Sequence, residues 1–116
     1  MIKKTIIISL ILSMPLTVNA GFLDMNLAKR CHQLSIKLVE TKELESNVFC
    51  AEKLYDASIS AEMAGEAFTE DDNFTAKLDL QLAIKALNYS TVENCSEVAK
   101  IVNYKNELQD ILLWIK

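Results

Sequence analysis

Along most of the chain the apolar positions recur every three or four residues, the period of a helix with one buried face. Leu27, Cys31, Leu34 and Leu38 stand at i, i+4, i+7 and i+11 and form one stripe. With Asp24 in front as an N-cap, this predicts a first helix over 24–40. A second helix over 43–68 carries Cys50, Leu54, Ala57, Ala61, Ala64 and Phe68 on one side and Leu44, Val48, Ala51 and Tyr55 on the adjoining side. Its small residues Ala57, Ala61 and Gly65, four apart, would let another backbone approach closely. Glu45, Glu52, Asp56 and Glu70 fall on the remaining face, toward water.

The polar run at 69–73 is a turn. A third helix, 73–89, has two stripes: Ala76, Leu80, Ala83, Ile84 and Leu87, and Phe74, Leu78 and Leu82. Two stripes predict two neighbours. Ser90 and Glu93 match a capping box, so a fourth helix is expected from there to the C-terminus through Val98, Ile101, Leu108, Leu112 and Ile115. After residue 21 there is one Gly, no Pro and no alternating strand pattern. The expected fold is all-α, a small antiparallel, up-and-down four-helix bundle.

The first twenty residues break this pattern. Lys3 and Lys4 precede an apolar run shorter than the ~20 residues of a bilayer span, and Val18-Asn19-Ala20 offers small residues for cleavage. We read 1–20 as a cleaved signal peptide and 21–116 as a single helical domain, periplasmic or secreted, with no stable membrane insertion after cleavage. All sixteen acids lie after residue 20, eleven of them within 40–79. So acidic a domain repels phosphate backbones and anionic lipid, which argues against nucleic acid as a partner.

Export changes how three cysteines are read. Cys31 and Cys50 are equidistant from a turn expected beside Thr41, and matched height on neighbouring helices predicts a Cys31–Cys50 disulfide in an oxidising compartment. Cys95, near the start of the fourth helix, offers a bond to either as the alternative. Otherwise it is a free thiol, buried or intermolecular.

Other chemistry is sparse. Cys31 and the one histidine, His32, are adjacent and point ~100° apart on a helix, which disfavours a zinc site with Cys50 and Cys95. A haem-carrying bundle would need His32 with Met25 or Met63 as axial ligands, and no C-x-x-C-H motif is present. The acidic turn lacks the order of a calcium loop. Three N-x-S/T sequons, at Asn73, Asn88 and Asn94, follow from composition. No nucleophile elbow, phosphate loop or catalytic carboxylate pair is recognisable, so no enzyme and no cofactor are expected.

Surplus apolar surface remains. Met25, His32, Ile36 and Val39 form a second stripe on the first helix, and Leu113 and Trp114 lie off the core side of the last. These residues are the expected interaction surface, for another protein or another copy of the chain. The expected function is therefore protein binding, as an inhibitor or immunity protein against a toxin. A haem- or metal-carrying bundle and an accessory part of an envelope secretion or conjugation apparatus are the alternatives. In outline alone the chain is similar to small helical immunity proteins against type VI secretion amidase effectors. It departs from them at 51–56, where no glycine-rich segment occurs.

Overall fold

In a computed structural model the described residues are 2–89 and 94–115 for the backbone, and 23–89 and 94–115 for side chains. They form four helices and no strand: α1 (Ile2–Leu44), α2 (Val48–Thr69), α3 (Asn73–Asn88) and α4 (Val98–Leu113). Each packs on the next, and α4 closes back on α1, as in an up-and-down bundle. The expected leader at 1–20 lies outside the described side chains, and the capping box at 90–93 lies outside the described residues.

The core draws on one stripe from each helix. Leu27, Cys31, Leu34 and Leu38 of α1, Cys50, Leu54, Ala57, Ala61, Ala64 and Phe68 of α2, and Ala76, Leu80, Ala83 and Leu87 of α3 are buried. Ile101, Leu108 and Ile111 complete it from α4, whereas Val98, expected there, is exposed and Leu112 and Ile115 are half-buried against it. Gly65 is the point of closest approach between α1 and α2. A Cβ there would stand 3.1 Å from the Ala28 carbonyl oxygen and 3.3 Å from Cys31 Cβ. Neither neighbour is the end of a flexible side chain, so only glycine lets the two helices meet this closely.

The first turn is not beside Thr41. α1 runs through Leu44, because Lys42, Glu43 and Leu44 are good helix formers and nothing there ends the helix. Thr41 is buried in the last turn of α1, its hydroxyl donating to the Lys37 carbonyl (2.9 Å) and meeting the Tyr104 hydroxyl of α4 (2.8 Å). The chain turns at 45–47, where Asn47 caps α2 by accepting the Cys50 N–H at 3.2 Å.

That shift overturns the Cys31–Cys50 pairing. Cys31 lies thirteen residues below the end of α1 and Cys50 two residues into α2, which separates them by about 16 Å along the hairpin. Cys31 faces Gly65 instead, buried and unpaired. Cys50 is joined to Cys95, Cα to Cα 5.7 Å, so Cys95 is not a free thiol.

Three further expectations fail. Leu44, Val48 and Tyr55 are exposed: Leu44 ends α1 instead of belonging to α2, and α2, which begins only at Val48, turns Val48 and Tyr55 outward. Phe74, Leu78 and Leu82 gain no second neighbour: α3 meets both α2 and α4 with one buried face, and this stripe points away from it. Glu45, placed toward water by its helical position, is buried in the turn. The fourth helix also starts late, at Val98, since residues 94–97 are held against the first turn.

Candidate functional site

Two places gather chemistry-bearing side chains. The first is the closed end of the bundle, where the α1–α2 turn meets the strand of chain entering α4. Glu45 is its centre. Its Oε2 accepts from the Asn47 N–H (3.0 Å), the Ser96 N–H (2.9 Å) and the Ser96 hydroxyl (2.7 Å), and its Oε1 from the Glu97 N–H (2.9 Å). Glu97 caps α4 with no side-chain bond of its own, so a carboxylate about fifty residues earlier in sequence satisfies that helix start. Burial works against the charge, and these donors outweigh it, lowering the carboxyl pKa to about 2.

Ser46 N–H adds a bond to the Ser96 hydroxyl (3.1 Å), and the disulfide ties Cys50 to Cys95 beside it. Glu45, Cys50 and Cys95 bring three donor atoms within 4.8 Å of one another. With the sulfurs joined to each other and the carboxylate filled by four donors, this set offers a cation no open ligand. The arrangement is a clasp, built to hold rather than to react.

The second place is the outward face shared by α1 and α2. On α1 it carries Met25, His32, Ile36 and Val39; on α2 it carries Tyr55, Ile59 and Met63 at i, i+4 and i+8, all exposed. His32 Nδ1 donates to the Glu62 carboxylate at 2.9 Å, and Lys42 Nζ stands 5.0 Å over the Tyr55 ring. These two links fix the antiparallel register of α1 and α2 along this face. Below them Met25, Lys29, His32, Glu62, Gly65 and Glu66 line an open groove of about 320 Å³.

Acids frame this face. Glu43, Glu52, Asp56, Glu62 and Glu66 all lie along it, answered by His32 and by Lys42 and Lys53 at 3.8 and 3.9 Å from Glu43 and Asp56. Among the described residues Glu52 and Glu66 have no ion-pair partner.

Of the residues named from sequence, Met25, His32, Ile36 and Val39 thus share one surface. Leu113 and Trp114 are exposed as well but belong to α4, which meets α1 on its other flank through Arg30–Asp110 (3.0 Å) and Thr41–Tyr104. Cys31 is buried, and burial pushes its thiol up to about 12, against the pull of Arg30, and so keeps it in the protonated form. His32, Met25 and Met63 all sit on the surface, so among the described residues no histidine or methionine enters the interior.

Sequence reading missed Glu45, and no local signal marks it, because Ser96 and Glu97 are distant in the chain. It also missed Ile59 and Met63, although their spacing from Tyr55 was visible. Asp79 was missed too: it is buried on α3, its Oδ2 has no hydrogen-bond partner, and burial, helped by the charge of Asp72, raises its pKa. The chain matches no family model, and no curated protein or solved structure matches it.

Proposed function

We propose that this chain is an exported helical binding protein that holds a partner protein on the α1/α2 face and acts without catalysis. The observation that carries this reading is the uncovered apolar line Ile36, Val39, Tyr55, Ile59 and Met63, set on two helices whose other sides are packed. Such a line in water is surplus unless something covers it. The acidic frame selects for a basic, amphipathic partner segment. The disulfide fits an oxidising compartment and therefore the export expected from residues 1–20. A rigid, acidic, exported binder suits neutralisation of a basic toxin, and an inhibitor or immunity role is the finer form of the proposal.

A photocrosslinking residue at Ile59 in the native host tests it, with the same residue at Asn106 on the polar outer side of α4 as control. One discrete crosslinked protein from position 59, lost when Ile36 is changed to Asp, is the expected result. Equal labelling from both positions, or none from position 59, would remove the α1/α2 face as the binding surface.

A further inference from the structure

Three side chains that take no part in the clasp gather around its disulfide. Phe49 and Lys53 stand one turn apart on α2, and Tyr89 follows the end of α3. The Phe49 and Tyr89 rings meet edge to face, with 5.8 Å between centroids and 78° between planes. Lys53 Nζ stands over both, 4.7 Å from the Tyr89 centroid and 5.4 Å from that of Phe49. One ammonium shared by two rings that also touch each other ties α2 to the end of α3 at this point.

The same three residues form, with Cys50 and Cys95, part of the wall of a cavity of about 10 Å³, room for a single water. Leu54, Leu87 and Ile101 line it as well and are core residues. Both cysteines are buried, so a reductant reaches either sulfur only after something moves. Phe49 and Tyr89 are the exposed members of that wall, and side chains at the surface open at lower cost than a core. We propose that Phe49, Lys53 and Tyr89 form a lid over the Cys50–Cys95 disulfide, and that this lid, with the Glu45 carboxylate beside it, sets how fast thiols cut the clasp.

The carboxylate contributes through the charge of the reaction. A dithiol reductant attacks as a thiolate, bonds to one cysteine sulfur and expels the other as a thiolate, which takes a proton. The second thiol of the reagent then closes on the first, the mixed disulfide breaks, and the remaining cysteine leaves as a thiol. Two electrons pass from the dithiol, now a cyclic disulfide, to the two cysteines. The attacking and departing sulfurs are both anions. A Glu45 oxygen lies within 4.8 Å of both cysteine sulfurs, so its negative charge opposes each of them.

Reduction of the oxidised full chain by dithiothreitol under native conditions, followed by mass spectrometry after thiol alkylation, is the test. Phe49→Ala should speed reduction about tenfold, the effect of losing one aromatic pair from the closed lid. Lys53→Ala should speed it by less, and Val48→Ala, exposed beside the lid, should leave the rate unchanged. Urea unfolding of each oxidised variant gives its global unfolding constant, which should rise less than the reduction rate does. Glu45→Gln should favour dithiothreitol over a neutral phosphine, which attacks without charge and takes up oxygen from water as it reduces the bond. Phe49→Ala reduced no faster than the wild type overturns the proposal. An acceleration equalled by the change in global unfolding also overturns it, and so does a thiol-to-phosphine rate ratio that Glu45→Gln does not raise.

Discussion

Two carboxylates are buried among the described residues of this bundle, and their fates differ. Glu45 lies where the α1–α2 turn meets the entry to α4, with four hydrogen-bond donors around it, and its pKa falls to about 2. Asp79 lies in the middle of α3 with an oxygen that nothing donates to, and its pKa rises. Both are taken from water. What separates them is geometry: turns and helix starts present unpaired N–H groups, whereas a helix interior has already used its own. The first acid holds the fold together; the second is a cost the fold carries.

The sharpest way to break the clasp around Glu45 is to cut the disulfide beside it. Cys50 and Cys95 are 45 residues apart, so their bond restricts a long loop of the unfolded chain. In the chain-entropy model this contributes about 4 kcal/mol. Changing both to Ala, or reducing them, should lower the denaturant midpoint accordingly and release residues 94–97 first. Amide exchange at Ser96 and Glu97 that stayed as slow as in the oxidised protein would show that Glu45 holds the segment unaided.

Glu45 itself gives the next largest effect, with a definite sign in pH. Its folded pKa of about 2 lies below the ordinary 4.5, so its stabilisation is complete above the ordinary value. It drains away as pH falls from about 5 toward 2, up to about 3 kcal/mol in all. Glu45→Gln should lose most of this at neutral pH and flatten the acid limb. Denaturation curves at pH 7 and pH 3 measure both. An unchanged acid limb in the variant would assign the loss to other groups.

These effects also mark what the sequence could and could not tell. The stripes Leu27 to Leu38 and Ala76 to Leu87 follow from spacing alone, because a helix in a bundle records its buried face in its own period. The place of the turn did not follow. Lys42, Glu43 and Leu44 continue a helix as readily as Thr41 would end one, and an error of a few residues moved the partner of Cys50 from Cys31 to Cys95. Met25, His32, Ile36 and Val39 were legible as a surface because they share one helix. Their continuation onto Tyr55, Ile59 and Met63 needed the register between two helices, which a single chain does not record. Glu45 needed contacts across fifty residues.

Asp79 predicts a smaller change of opposite direction. Asp79→Ala removes an unpartnered buried acid from a helix interior and installs a better helix former. It should raise stability at pH 7 by about 1–2 kcal/mol. Because the folded pKa is raised, protonation at low pH relieves the wild type, and the advantage should shrink as the solution is acidified. Melting temperatures of both proteins at neutral and acid pH would show it. A variant less stable than the wild type would mean that Asp79 has a partner in solution.

A third carboxylate can be added where water reaches it. Ile59→Asp puts an acid on the open α1/α2 face, three residues before Glu62 on α2. Exposed substitutions away from caps and core change stability within about 0.5 kcal/mol, so the melting curve should barely move. The same change breaks the apolar line and adds charge where a basic, amphipathic segment would lay its apolar side, so capture of the crosslinked partner should fall steeply. The acids at 45, 79 and 59 would then rank by environment alone: one satisfied, one stranded, one solvated. If Ile59→Asp unfolded the protein, Ile59 would belong to the core, and the α1/α2 face could not be a surface kept free for a partner.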